Sequence, residues 1–426
     1  MLIETVLAPA VLDGIDAALA ETDEHLIRAY PGEDGRRQPV HTVYVPADRY
    51  TADLPRRWGE EALSLVEEHG GWEALGDRLG LDRALVEEVT PRVAAKLATE
   101  PIEDLRLDFE DGYGNRDDPT EDAEAVRTAA ELAGAIASGQ APDFVGLRFK
   151  CFEAPTRRRG VRTLDLFLGT LLSQGGGLPD GLLITLPKVS TAAQVAAMVT
   201  VCSELETAYG LPAGRLGFEI QVETPQLILG ADGTAPVAAA LHAGGGRVTA
   251  LHYGTYDYSA SLQIAAAHQS ADHPAADYAK SVMQVAAAGT GVQLCDGSTN
   301  LLPVGPPEQV HQAWLIHAGL VRRALERGYY QGWDLHPGQL PTRFLMNFTF
   351  YRQTFAASAR RLADYVHRRS SGVLDEPATA RALARFLHRG LTCGATEEAE
   401  LVSATGLGGA ALEALARPKS DTEMRS

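Results

Sequence analysis

The chain has 426 residues, 45% hydrophobic and 22% charged, a composition that excludes a disordered, collagen-like or coiled-coil protein. Its 38 Lys and Arg residues against 56 Asp and Glu residues give a net charge of −18, which argues against nucleic acid or an anionic membrane as a partner. No apolar run approaches the roughly 18 residues of a membrane helix, and the N-terminus lacks the basic stretch of a signal peptide. We therefore expect a cytoplasmic protein.

Short apolar runs alternate with Ala-rich helical stretches through the middle of the chain, a pattern typical of βα repeats. Eight of these runs are predicted strands, over residues 41–45, 104–109, 144–149, 182–187, 216–222, 248–253, 291–295 and 332–336. Eight strands with intervening helices favour an α/β fold, a closed (β/α)8 TIM barrel rather than an open sheet.

Two stretches fall outside this alternation. A helical insertion over residues 54–100 separates the first two strands, and the chain is again helical after Leu340. We predict a barrel over residues 1–340 that includes the insertion, followed by a C-terminal helical extension or lid over residues 341–426.

Polar residues cluster where the predicted strands end. The active site of such a barrel lies at the C-terminal ends of its strands, because the loops converge there over a packed interior. The candidates at those ends are Asp108, Glu110, Asp111, Arg148, Lys188, Glu223, Asp257, Asp296 and His336.

Glu223 and Asp257 are the first candidates for metal binding. They follow consecutive strands, whose spacing of about 4.8 Å lets two carboxylates hold one ion. Carboxylate and water oxygens are the ligands that Mg²⁺ or Mn²⁺ prefers. The alternative is that each carboxylate caps a helix or pairs with an arginine.

Two arginines lie on inward faces near this pair. Because strand side chains alternate between faces, Arg106 and Glu219 are predicted to point into the barrel, where the arginine neutralises the carboxylate. Arg148 could hold a carbonyl oxygen that becomes an enolate, or it could form a salt bridge with Asp108 or Glu110. The sequence leaves both roles of Arg148 open.

Seven motifs carry a resemblance to a known family. They are VYVPADR (43–49), LRLDFEDGYG (105–114), LRF (147–149), LPKV (186–189), EIQVETP (219–225), HYGTYDYS (252–259) and GWDLHPGQ (332–339). In this order they resemble the citrate lyase β-subunit and HpcH/HpaI aldolase superfamily of phosphoenolpyruvate/pyruvate-type barrels. The resemblance spans roughly residues 40 to 340 and departs from the family at Phe149-Lys150, where an asparagine is common.

The resemblance implies roles for particular residues. Glu223 and Asp257 would bind Mg²⁺ (or Mn²⁺), and Glu110 and Asp111 would hold water on the metal. The candidate catalytic residues are Arg148, Glu110, Asp111 and Asp108, and the candidate substrate-binding residues are Arg148, Gly254 and Lys188. The implied enzyme is a carbon–carbon lyase that makes or breaks a bond through a metal-bound enolate of a 2-oxo acid or a related acyl-CoA. Its partners would be this small anionic substrate and further copies of the chain, as a trimer or a multiple of one.

Several alternatives stay open. The same site could carry out a malate-synthase-like condensation or the hydrolysis of an acyl-CoA thioester. A Schiff-base aldolase would instead use Lys188 or Lys150, and a non-catalytic barrel would use none of these residues. The arginines at 157, 158, 159 and 162 form a positive cluster that either binds an anionic group or is solvated. Asp375 has a faint resemblance to an acid that some acyl-CoA members take from a neighbouring subunit.

Overall fold

The computed structural model describes residues 6–175, 177–367 and 376–417. Eight parallel strands form one sheet in the order β7-β6-β5-β4-β3-β2-β1-β8. A parallel bridge between Cys295 and Gln331 joins its two edges and closes the barrel. The predicted TIM barrel is therefore confirmed. The strands are β1 (His41–Pro46), β2 (Asp104–Asp108), β3 (Phe144–Arg148), β4 (Leu182–Leu186), β5 (Phe218–Val222), β6 (Val248–Tyr253), β7 (Gln293–Cys295) and β8 (Gly332–Asp334).

Six strands are shorter than predicted, β2, β3 and β4 by one residue and β5, β7 and β8 by two. In β5, β7 and β8, side chains bind backbone groups at or beside the positions that a longer ladder would use. The Leu216 N–H donates to Glu206 Oε1 at 2.7 Å, so β5 begins two residues later. The Leu335 N–H donates to Gln339 Oε1 at 2.7 Å, so β8 ends after Asp334. Strand β7 begins at Gln293, just after Val292, whose N–H donates to Thr290 Oγ1 at 3.2 Å.

Helices surround the barrel and extend beyond it. Within the described ranges they are α1 (Pro9–Ala29), α2 (Leu54–Glu68), α3 (Gly71–Arg78), α4 (Arg83–Thr99), α5 (Asp118–Ala137), α6 (Arg157–Gly175), α7 (Ala192–Tyr209), α8 (Pro225–Ile228), α9 (Pro236–Ala243), α10 (Thr255–Ser261), α11 (Pro274–Ala287), α12 (Pro307–Glu326), α13 (Leu340–Val366), α14 (Pro377–Thr392), α15 (Glu398–Thr405) and α16 (Gly409–Ala416). None of those in the described ranges is both long and apolar enough to span a bilayer.

Side-chain alternation separates an apolar outer layer of the barrel from a polar interior. On β2, Leu105 and Leu107 are fully buried in the main apolar cluster between sheet and helices. Arg106 points the other way, and its Nη2 lies 2.7 Å from Glu219 Oε2. The predicted interior ion pair is therefore present. Thr185 Oγ1 and the Tyr44 hydroxyl also donate to Glu219 Oε1, at 2.5 and 3.1 Å.

The insertion forms the three helices α2, α3 and α4, as predicted over residues 54–100. Asp82 caps α4 by accepting from the Leu85 N–H at 3.0 Å. The inner faces of α2 and α4 share a second apolar cluster with α12 and α13. The insertion is thus part of the packed core on the α12–α13 side of the barrel.

Helix α14 contacts the barrel at the N-terminal ends of strands β1 and β8. Arg389 of α14 lies over the Tyr330 ring, 4.1 Å from its centroid, just before β8 begins. Arg385 and Arg389 also face Glu33, which precedes β1, at 3.5 and 3.4 Å. The candidate acid Asp375 lies outside the described residues. The division at residue 340 and a role of the extension as a lid stay predictions.

Candidate functional site

Arg148 and Asp108 form a bidentate ion pair at the C-terminal ends of β3 and β2. Arg148 Nε and Nη2 donate to the two oxygens of Asp108 at 2.7 and 2.6 Å. The third guanidinium nitrogen, Nη1, lies 3.4 Å from Gln221 Oε1 and 3.7 Å from Glu110 Oε2. Both roles left open for Arg148 are thus compatible, because the salt bridge holds one edge and leaves Nη1 facing the site.

The residue beneath this arginine is not among the candidates named from the sequence. Tyr44 on β1 places its ring under Arg148, with 4.9 Å between the guanidinium carbon and the ring centroid. The Tyr44 hydroxyl donates to Glu219, so the tyrosine links Arg148 to the polar interior below. The inward register of β1 could have revealed Tyr44, since Tyr44 pairs in register with the inward-facing Arg106.

Lys188 lies at the centre of the predicted carboxylates. Its Nζ donates to Asp111 Oδ2 at 2.8 Å and to Asp257 Oδ2 at 3.0 Å, and it lies 2.9 Å from Glu110 Oε1. Its backbone N–H donates to Glu223 Oε1 at 2.7 Å. The left-handed backbone at Lys188, with φ of 51°, directs both groups to the same side. One lysine therefore binds all four carboxylates.

Glu223 and Gly254 are in close contact across β5 and β6. The Gly254 N–H donates to the Val222 carbonyl at 3.0 Å, which places Gly254 beside the Glu223 side chain. A Cβ atom at Gly254 would lie 2.5 Å from Glu223 Cβ and 2.6 Å from its Oε2. The Glu223 carboxylate can therefore occupy its position only because residue 254 has no side chain. A direct role of Gly254 in substrate binding stays a prediction.

Burial and mutual repulsion separate the pKa values of the carboxylates. Burial raises the pKa of Glu223 to about 8, against the lowering effect of Lys188 and with a further rise from Asp257. Burial likewise raises the pKa of Glu110 to about 7, although Arg148 and Lys188 oppose it. Burial also acts to raise the pKa of the neighbouring Asp111. A hydrogen bond with Glu110 and the charges of Arg148 and Lys188 outweigh this effect and lower the pKa to about 2.

The donor set of this cluster fits a hard cation. Its groups are carboxylate oxygens, and an ammonium already lies among three of them, which stands in for a bound cation. In the described part of the chain, no three or more His, Cys, Asp or Glu side chains converge as a ready-made metal cage. A divalent ion would therefore have to take the place of the ammonium to reach Glu223 and Asp257.

The structure places other strand-end candidates in structural roles. His336 Nδ1 accepts from the Gly338 N–H at 3.1 Å, which fixes the loop after β8. Asp296 accepts from the buried Lys280 at 2.9 Å through both oxygens. Lys150 donates to the Phe109 carbonyl at 2.7 Å and lies 2.8 Å from the buried Glu121.

The arginine cluster at the start of α6 is partly neutralised. Arg159 Nη2 donates to Asp122 Oδ1 at 2.5 Å, and Arg162 donates to both oxygens of Asp122. For the two remaining arginines, Arg157 and Arg158, the described residues provide no ion pair. The anion-binding role of the cluster stays a prediction.

Comparison with solved structures places this barrel among known folds. The citrate lyase of Burkholderia xenovorans LB400 is 20% identical, with 90% of this chain and 97% of that chain covered and a TM-score of 0.56. A magnesium/glyoxylate complex of Haloferax volcanii malate synthase is 14% identical, covering 90% and 99%, with a TM-score of 0.48. The Mycobacterium tuberculosis protein CitE, in complex with magnesium, acetoacetate and coenzyme A, is 17% identical, covering 83% and 98%, with a TM-score of 0.47. The first of these confirms the predicted resemblance at the level of the fold.

A comparison with curated proteins finds no significant match. A family model does match, over residues 19–420, which is nearly the whole chain. The chain therefore belongs to the family described as "Domain of unknown function (DUF6986)".

Proposed function

We propose that the chain is a carbon–carbon lyase that depends on Mg²⁺ or Mn²⁺ and acts on a small anionic substrate, a 2-oxo acid or a related acyl-CoA. One observation carries this proposal: Arg148 is fixed by Asp108 with its Nη1 edge turned toward the carboxylates that surround Lys188. A fixed guanidinium beside a cation site is an arrangement suited to stabilising an oxyanion.

The cation site and the arginine have complementary tasks. Glu223 and Asp257 would hold a divalent ion, which would supply positive charge for an oxygen that becomes an enolate when the C–C bond breaks. Arg148 Nη1 donates a hydrogen bond to that same developing charge. Its partner Asp108 holds the pKa of Arg148 well above its ordinary value despite burial, so the guanidinium stays charged. Asp108 therefore acts through Arg148, as a positioning residue.

Glu110 is the best-placed group for proton transfer. With a pKa of about 7, it can take and return a proton at neutral pH, whereas Asp111 beside it stays ionised. In the cleavage direction, Glu110 removes the proton of the substrate hydroxyl, and the electrons of the C–C bond move to the enolate. The same proton then returns to the enolate carbon. No second base is required.

A Schiff base on either candidate lysine is disfavoured. Glu223, Glu110 and Asp111 raise the pKa of Lys188 against its burial, so its amine stays protonated and is a poor nucleophile. Lys150 is buried, and its ammonium is bound by Glu121 and by two backbone carbonyls. Neither lysine offers a neutral amine to a substrate carbonyl.

The test is a panel of 2-oxo acid aldols and β-hydroxyacyl-CoA esters, assayed with Mg²⁺, Mn²⁺ and EDTA. We expect cleavage that EDTA abolishes and that borohydride with substrate does not trap covalently. E223Q and D257N should both lose activity, and E67Q, at an exposed carboxylate of α2, is the matched control. Activity that survives EDTA, or a borohydride-stable adduct on Lys188, would refute this mechanism. Products formed only in the presence of CoA would favour the malate-synthase-like condensation.

A further inference from the structure

The position of the Lys188 ammonium is unusual for a lysine at the mouth of a barrel. An ammonium has three N–H donors, and here three carboxylates lie within 3.0 Å of it. Glu110 and Asp111 lie in the loop after β2, whereas Asp257 lies in the first turn of α10. The ammonium thus links β-strand ends that no backbone ladder connects directly.

The charge balance of the site shows why it needs this ammonium. Asp108 is already bound by Arg148, so the other four carboxylates share the charge of Lys188. Burial excludes water from Glu110 and Glu223, so their polar groups depend on protein partners rather than on solvent. Removing the ammonium without replacing it would break the contacts that join Glu110, Asp111 and Asp257.

The backbone of Lys188 is specialised for this contact. Its φ of 51° lies in the left-handed region, which costs free energy for any residue with a Cβ atom. This conformation aims the N–H at Glu223 and the side chain at the other three carboxylates. The ammonium can move away from the carboxylates while the backbone of the loop stays in place, because four rotatable bonds connect Nζ to the backbone. The N–H bond to Glu223 cannot be released in this way.

We propose that the ammonium of Lys188 is the resident cation of this carboxylate cluster and that a divalent ion binds by displacing it. The inference rests on the proposed function, because it places the ion at Glu223 and Asp257. Lys188 then lowers the affinity for the metal, and it keeps the carboxylates together until the metal arrives. The displaced ammonium stays near the mouth, where its side chain is already 20% exposed and adds positive charge for an anionic substrate.

The experiment compares wild type, K188M and K188R without substrate. Methionine keeps an unbranched chain and the backbone cost of position 188 but removes the charged group, whereas arginine keeps the charge. Mn²⁺ affinity is measured by calorimetry and by electron paramagnetic resonance, and thermal stability is measured in EDTA. We expect K188M to bind Mn²⁺ about tenfold more tightly than wild type, because the ion no longer has to displace the ammonium. Tenfold corresponds to a competing interaction of about one pK unit. K188M should also melt earlier than wild type in EDTA and recover on addition of Mn²⁺, and K188R should bind Mn²⁺ no more tightly than wild type.

The outcomes separate this inference from the proposed function. Unchanged or weaker Mn²⁺ binding by K188M, with wild type binding normally, would refute the role of Lys188 and leave the metal site intact. No Mn²⁺ binding by either protein, or binding that E223Q does not weaken, would refute the metal site itself and this inference with it. If K188M does not fold, K188Q gives the same comparison with a shorter neutral side chain.

Discussion

Arg148 and Asp108 are joined by two hydrogen bonds of 2.7 and 2.6 Å, from neighbouring strands of the same barrel. The pair is buried, so water does not compete for it. A guanidinium matches the geometry of a carboxylate with two parallel N–H groups, whereas the ammonium of lysine does not. The orientation of Nη1 toward the site therefore depends on an arginine at position 148 and an aspartate at position 108.

R148K keeps the charge but loses this orientation. We expect kcat to fall by about 100-fold or more, the typical effect of losing one donor that stabilises an oxyanion, with a much smaller change in KM. Steady-state kinetics with the substrate that the panel identifies would measure both. An R148K enzyme with wild-type kcat would show that Arg148 is only a structural partner of Asp108. Circular dichroism and the melting temperature serve as the control for folding.

R106L tests the ion pair in the barrel interior. The substitution leaves Glu219 and Asp104 buried without their cation, so we expect a loss of about 3–5 kcal/mol in the free energy of unfolding. Urea unfolding would measure it. The control is R56L, which removes an arginine whose side chain is 60% exposed and should change stability little. An R106L protein as stable as wild type would show that the interior tolerates the unpaired carboxylates.

The sequence was enough to predict this interior pair and most of the barrel. Alternation along β2 and β5 put Arg106 and Glu219 on inward faces, and strand order brought Glu223 and Asp257 to adjacent strand ends. Both inferences use only local periodicity and the rule that strand ends carry the site. Both inferences are correct because each side chain of a barrel strand can point in only two directions, into the barrel or out toward the helices.

Other features depend on contacts that local patterns do not encode. Lys188 reaches its partners through a left-handed backbone and a long side chain, and nothing in the LPKV motif specifies either one. Asp122 neutralises Arg159 and Arg162 only because α5 and α6 pack side by side. Helix α1 has no buried residue, so the pattern of apolar residues in its sequence does not indicate what it packs against.

G254A tests the close approach of Gly254 to Glu223. A methyl group at this position would meet the Glu223 side chain at 2.5 Å, so the carboxylate must move from its place beside Lys188. We expect Mn²⁺ affinity to fall by about 10–100-fold, as it does when the surroundings of a metal ligand are disturbed. Calorimetry would measure this. G134A is the matched control, because no atom lies within 4 Å of a Cβ at that helical glycine. Unchanged Mn²⁺ binding by G254A would show that Glu223 can move without loss of the site.

The raised pKa of Glu223 predicts how stability changes with pH in the metal-free protein. Its pKa is about 8 in the folded chain, above the ordinary value of 4.5, so between these values the folded state binds a proton that the unfolded state has lost. This contribution to stability is present below pH 4.5 and disappears as the pH rises toward 8. E223Q cannot titrate at this position. In EDTA, its melting temperature relative to wild type should therefore rise steadily between pH 5 and about 8. E67Q should show no such trend, and a constant difference between E223Q and wild type would mean that Glu223 is ionised across this range.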